Sequence, residues 1–377
     1  MSLLFSPFTQ RGVTLRNRTV VAPMCQYSAH HGVPNDWHLV HLGRFALGGF
    51  GLVMVEATGV SPEARISYAD TGLWNDEQMQ AFARITAFLK SQGATPAIQI
   101  AHAGRKASTP VGWRGAFNET DAEKTADGFE HWAPVGPSAL PHSASPDYQT
   151  PIALDKAGIQ KVIDDFAAAF VRADKAGFEV AELHAAHGYL VNQFLSTVSN
   201  QRGDAYGGSR ANRMRLLLEI AEAVRAVWPQ SKPLWTRISV VDGKEGWTLE
   251  DSLALVPELK ARGVDLIDCT TGGFDGTSVK PGPHYQVPMA AALRKAGLPT
   301  GAVGLIQDPH DAEAVLQAGE ADLIMLARGA LDDPNWPLHA QHALTRSEEA
   351  YRLWPIQAAA PIRNKDRTLK IRGFAET

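Results

Sequence analysis

Eight short apolar runs, most of them followed by a helical pattern, constrain this chain more than any other feature. They end near Pro23, Ala57, Gln99, Leu183, Ile238, Cys269, Val303 and Ala327. Leu52-Val53-Met54-Val55 and Leu323-Ile324-Met325-Leu326 are apolar at every position, so neither face can be left to water. Strands of that kind belong in a parallel sheet covered by helices. Helical patterns over 76–92, 248–262 and 308–318 fill three of the connections. The second carries its own punctuation: Thr248 as N-cap, Asp251 at the capping-box position and Gly263 as the stop.

Eight strand-and-helix units without a G-x-G-x-x-G after the first strand favour a closed (β/α)8 TIM barrel over a doubly wound sheet. The third and fourth connections carry insertions. Residues 107–150, rich in Pro, Ser, Trp and charge, read as an extended excursion after strand three that crosses the barrel mouth. Residues 1–357 are expected to form one domain, with 358–377 as a C-terminal extension whose order the sequence does not set.

Composition removes several function classes. Thirty-six basic against 40 acidic residues give a net charge of −4, which leaves no excess to neutralise nucleic acid or an anionic membrane. Two cysteines, Cys25 and Cys269, are too few for a disulfide framework, an all-cysteine zinc site or an iron–sulfur cluster. The N-terminus lacks a secretory pattern, and the most apolar stretch, 48–60, is interrupted by Glu56 and falls short of the roughly 20 residues a membrane span requires. A soluble cytoplasmic protein is expected.

A TIM barrel does its chemistry at the C-terminal strand ends. The polar residues placed there are Cys25, Tyr27, Glu56, Gln99, His102, His184, His187, Arg237 and Arg328. His184 and His187, three residues apart, admit three readings: a metal pair, two core histidines satisfied by backbone carbonyls, or donors to an anionic atom of a ligand. No third ligand is clearly placed, so no metal is expected. Tyr189 adds a phenol able to donate a proton. Gly301-Ala302-Val303-Gly304 and Leu326-Ala327-Arg328-Gly329 lie where barrels hold phosphate through backbone N–H groups, and Arg328 adds positive charge. Arg237, on an apolar strand, needs an anion: either a barrel carboxylate such as Glu56 or a ligand.

The segment from His184-Ala185-Ala186-His187-Gly188-Tyr189 to Phe194-Leu195-Ser196, continuing through Ser199-Asn200-Gln201-Arg202, Tyr206-Gly207-Gly208-Ser209 and Asn212-Arg213, strongly resembles the signature of the Old Yellow Enzyme family of FMN-dependent ene-reductases. Asn17-Arg18, Ala22-Pro23-Met24-Cys25, Gln99 to Lys106, Gly246-Trp247-Thr248 and Ala302-Val303-Gly304 extend the match along the chain. Cys25 with Tyr27 looks like the thermophilic-like branch, which includes xenobiotic reductases.

The resemblance implies non-covalent FMN, reduction by NADPH or NADH, and a small activated alkene as the second substrate. It implies that Ala22, Pro23, Met24, Cys25, Ala57, Gln99 and Arg237 line the flavin, with Gly304, Ala327 and Arg328 near its phosphate. His184 and His187 would bind the substrate oxygen, Tyr189 would protonate carbon, Tyr27 would contact the substrate, and Cys25 would tune the redox balance. A homodimer or homotetramer is implied, in which Trp354 is a candidate to enter a neighbouring site. Two rivals remain at this point: an FMN-binding redox sensor without turnover, and a flavin-free phosphosugar lyase or isomerase that would use Lys106.

Overall fold

Every one of the eight apolar runs forms a strand in the computed structural model, which describes residues 2–113, 131–277, 279–345 and 347–372. The strands are β1 (Thr19–Val21), β2 (Leu52–Gly59), β3 (Thr95–Ala101), β4 (Val180–Ala185), β5 (Leu234–Ser239), β6 (Leu266–Thr270), β7 (Thr300–Ala302) and β8 (Leu323–Leu326). They pair in parallel, in chain order, and β8 returns to β1 to close the barrel. Closure leaves no free edge, so each doubly apolar strand is covered inside by its neighbours' side chains and outside by helices. The first strand stops at Val21 rather than at Pro23, which has no N–H to give to the ladder.

The outer layer includes α1 (Asp36–Leu47), α2 (Asp76–Ser91), α3 (Lys156–Lys175), α4 (Arg210–Val227), α5 (Leu249–Ala261), α6 (Val287–Ala296) and α7 (Pro309–Gln317). The Thr248–Asp251 capping box forms as the sequence indicates, and Gly263 takes the left-handed conformation, φ 76°, that ends α5. On α3, Ile159, Val162, Phe166 and Phe170 repeat at helical spacing and are buried against the barrel core. Each such side chain contributes about 1.5–3 kcal/mol by leaving water.

Inside the barrel, the N-terminal ends of the strands pack a dry floor that includes Val20, Leu52, Met54, Val180, Trp235 and Leu266. A hairpin of Phe8–Gln10 and Val13–Leu15 lies against it, and Trp235 Nε1 donates to Gln10 Oε1 at 2.8 Å. Polar side chains replace the apolar ones one layer higher. That change of chemistry along each strand places the site.

The described flanks of the excursion lie at the mouth. Trp113 Nε1 donates to the Tyr27 carbonyl at 3.3 Å, and Trp132 Nε1 donates to the Glu63 carbonyl at 3.0 Å. Residues 114–130 lie outside the described residues. After helix Trp336–Thr345, the last element among the described residues is helix Ile356–Ile371, none of whose residues is buried. No helix among the described residues is long and apolar enough to cross a membrane.

Candidate active site

His184 lies on β4 itself, and His187 sits just beyond the strand with φ 60°, a left-handed conformation uncommon for a side-chain-bearing residue. Three contacts hold that turn. The His187 N–H donates to Ser239 Oγ at 2.9 Å, the His187 carbonyl accepts from Lys106 Nζ at 3.0 Å, and the Gly188 carbonyl accepts from Gln193 Nε2 at 2.7 Å. Gly188 is required sterically: with φ 71°, a Cβ there would meet the Gly273 carbonyl oxygen at 2.2 Å.

The turn assembles three rings. His184 and His187 have centroids 5.2 Å apart, His184 and Tyr189 4.9 Å, and His187 and Tyr189 6.5 Å. His184 Nδ1 accepts from the Ala186 N–H at 3.2 Å, so its proton sits on Nε2. His187 Nε2 lies 3.0 Å from Thr270 Oγ1 on β6. Burial holds both imidazoles well below their ordinary range, with the nearby charge of Arg237 adding to the effect, so both are neutral. Burial also keeps the Tyr189 hydroxyl protonated, pushing it well above its ordinary value. Among the described residues, no group of three or more His, Cys, Asp and Glu side chains could hold a metal ion.

Beside this trio, Cys25, Tyr27, Trp132 and Tyr189 pack on a small apolar cluster of Ile66, Ala103 and Ala107. Burial, reinforced by Asp70 and Glu56, raises the Cys25 thiol well above its ordinary value, against a smaller lowering by the Ala57 backbone and the Tyr27 hydroxyl. Cys25 is therefore a neutral thiol rather than a nucleophilic thiolate. Lys106 lies 4.9 Å from the centroid of the Tyr189 ring, and burial lowers its ammonium to about 8.

Arg237 does not pair with Glu56, the barrel carboxylate named above on sequence grounds. Its Nε lies 3.0 Å from Asp268 Oδ2 on the adjacent strand β6, while Glu56 faces His38 at 3.9 Å. The reason is register: Arg237 stands opposite Asp268 across the β5–β6 ladder, whereas Glu56 is on β2, on the other side of the barrel. Burial holds Glu56 protonated and His38, lowered to about 4, neutral, so their contact is not an ion pair.

A cavity of about 170 Å³ opens beside Arg237 between β7 and β8, and Gly304, Ala327, Arg328 and Gly329 line it together with Tyr285 and Gln286. Arg237 and Arg328 both line it, so the cavity presents positive charge to an anionic ligand. Gly304, at φ 128°, brings the backbone to the cavity, and a Cβ there would crowd the Tyr285 ring at 3.1 Å. Gln286 Oε1 is buried there with no hydrogen-bond partner, a polar atom available to a ligand. These residues fit a phosphate-bearing cofactor.

Ala57 lines a second, much smaller cavity with Tyr189 and Asp70. Ala22, just past the C-terminal end of β1, is buried among interior apolar side chains, Pro23 is partly exposed, and Met24 packs on the outer core. Gln99 is buried on β3, its Nε2 donating to Glu182 Oε1 at 2.8 Å. Thr270, Tyr285, Gln286 and Asp268 escaped the sequence reading. Of these only Asp268 left a signal, as the one charged residue of its strand.

A TIM barrel with neutral donor rings at the C-terminal strand ends and an arginine-lined cavity at β7–β8 fits the class of flavin-dependent oxidoreductases. The model of the NADH:flavin oxidoreductase / NADH oxidase family matches residues 3–347, and the chain belongs to that family, that of Old Yellow Enzyme. It is 43% identical over 360 residues to an NADPH dehydrogenase of Geobacillus thermodenitrificans, covering 94% of this chain and 97% of the relative. An NADPH dehydrogenase of Bacillus cytotoxicus is 44% identical over 345 residues, covering 90% and 92%. Among solved structures, a morphinone reductase mutant in complex with tetrahydroNAD aligns with a TM-score of 0.75 at 27% identity, covering 90% of each chain. FMN and NAD(P)H are its cofactors. Membership sets aside the flavin-free lyase or isomerase.

Proposed function

We propose that this protein is an ene-reductase that uses NAD(P)H to reduce the activated C=C bond of α,β-unsaturated carbonyl or nitro compounds. The observation that carries this reading is the neutral His184–His187–Tyr189 trio, with rings 4.9–6.5 Å apart at the C-terminal end of the barrel. FMN, when bound, would supply the hydride chemistry that links the nicotinamide to the alkene.

The protein's own groups do the rest. His184, through Nε2–H, and His187 donate to the carbonyl or nitro oxygen and draw electron density from the β-carbon. For His187 to donate as well, its proton must sit on Nδ1, with the Thr270 hydroxyl as the donor in the 3.0 Å contact to Nε2. Tyr189 donates its phenolic proton to the α-carbon. Tyr27 packs on the substrate, and Cys25, a neutral thiol, adjusts the redox balance without forming a covalent bond. Ala22, Pro23, Met24, Cys25, Ala57, Gln99 and Arg237 would line the flavin ring, and Gly304, Ala327 and Arg328 its phosphate end.

Absorbance spectra of the purified protein, taken before and after anaerobic NADPH and then after 2-cyclohexenone, test the reading. Bleaching followed by return of the flavin spectrum is expected. Bleaching without return would leave the redox-sensor alternative. In the same reading the protein is cytoplasmic and a homodimer or homotetramer, supported by a C-terminal helix that exposes Ile356 and Ile371 at 85% each. A monomer mass by light scattering would contradict the assembly.

A further inference from the structure

Directly above the dry floor, four consecutive strands contribute a row of buried polar side chains: Gln99 on β3, Glu182 on β4, Arg237 on β5 and Asp268 on β6. Gln99 stands opposite Glu182 in the β3–β4 ladder, and Arg237 stands opposite Asp268 in the β5–β6 ladder. Each pair is joined side chain to side chain, by the 2.8 Å hydrogen bond from Gln99 to Glu182 and the 3.0 Å contact of Arg237 with Asp268. Both acids are fully buried, and Glu182 Oε2 and both Asp268 oxygens have no hydrogen-bond partner. Two carboxyl groups inside a barrel are costly to desolvate, and nothing in the trio of rings uses them.

We propose that Asp268 and Glu182 are positioning residues for the flavin reaction: Asp268 holds and partly offsets the Arg237 guanidinium, and Glu182 holds the Gln99 amide. The proposal rests on the reading that Arg237 and Gln99 face the flavin ring.

The two acids divide the work by charge. One cation lies within reach of two carboxyl groups, so a single anion balances the row. Asp268, in contact with Arg237, is that anion: burial raises its carboxyl, and the adjacent guanidinium opposes the rise. Glu182, raised well above the carboxylate range by burial and by the charge of Asp268, is the neutral member. A neutral acid still accepts from Gln99 and fixes its amide without adding charge beneath the ring. Asp268 carries the charge and so sets how much of the Arg237 field reaches a flavin that gains negative charge on reduction.

The test measures the affinities of oxidised and reduced FMN for the folded protein, together with the midpoint potential. Thermodynamic linkage ties the potential to the ratio of the two affinities. Asp268→Asn is expected to favour reduced FMN about tenfold in that ratio, which is roughly 30 mV for a two-electron couple. Glu182→Gln, neutral for neutral, is expected to leave the ratio within about twofold, whereas Glu182→Leu frees Gln99 and weakens both redox forms about tenfold alike. Arg237→Ala is the control and should favour oxidised FMN. An unchanged ratio in the control would remove Arg237 from the flavin and overturn the placement itself. A shift in the control with none in Asp268→Asn would overturn the positioning role alone, as would a Glu182→Gln shift equal to that of Asp268→Asn. Should Asp268→Asn not fold, Asp268→Glu takes its place. It keeps the charge and displaces the guanidinium, so a ratio and an affinity both equal to those of the parent would overturn the proposal.

Discussion

Trp235 and Arg237 stand two residues apart on one strand, and both enter the barrel, yet they belong to opposite kinds of interior. Trp235 packs with Val20, Leu52, Val180 and Leu266 in a dry floor. Arg237 meets an acid and lines a cavity. A floor of that composition stabilises the fold by removing apolar area from water, whereas the row above it gives up stability by burying ionisable groups. One barrel therefore keeps its stability at the N-terminal ends of its strands and its chemistry at the C-terminal ends. Changes in the two layers should be separable experimentally.

The largest separation is expected at Tyr189. Tyr189→Phe removes the proton donor and should slow the alkene half-reaction in stopped flow by roughly 10²–10⁴-fold while flavin reduction and folding stability stay near those of the parent. An equal alkene rate would take Tyr189 out of the role. The opposite behaviour is expected from the floor. Leu52→Ala should cost about 2–5 kcal/mol in urea unfolding, with the alkene rate of the folded fraction retained. A large loss of rate without loss of stability would show that the two layers are not independent.

Arg328→Ala tests the cavity end of the upper layer. Losing one charge-assisted contact, worth about 1.5–3 kcal/mol, should weaken FMN binding by one to two orders of magnitude in fluorescence titration. Riboflavin, which lacks the phosphate, should not distinguish parent from variant.

Proton equilibria sharpen the same contrast more gently. Lys106 is charged below about pH 8 and loses its charge as the pH rises through that value, because burial destabilises the ammonium. A break near pH 8 is therefore expected in the alkene half-reaction, and Lys106→Met should abolish it. The histidines should add no break between pH 6 and 8, since both imidazoles are held neutral well below that window. The smallest effect is expected from Cys25→Ser, a modest shift of flavin potential with no change in unfolding midpoint. An unmoved potential would make Cys25 a packing residue.

The barrel was legible from the chain because doubly apolar strands alternating with capped helices have few other ways to bury both faces. The His184–His187–Tyr189 cluster was legible because its members are neighbours in sequence. The partner of Arg237 was not, since Asp268 lies one strand and 31 residues away and is selected by the parallel register rather than by proximity in the chain. The same holds for Thr270 beside His187 and for Tyr285 and Gln286 in the cavity, residues with no sequence mark of their own.

By itself, then, the order of residues determined that a closed parallel barrel forms, and which strand ends carry imidazole, phenol, thiol and guanidinium. Local periodicity and capping are properties of neighbouring residues, so they can be read in one dimension. Which acid faces which base, which proton each imidazole carries and which buried acid is neutral were decided only in the tertiary structure. Those outcomes depend on register and on desolvation, and both arise from groups that meet only when the eighth strand closes on the first.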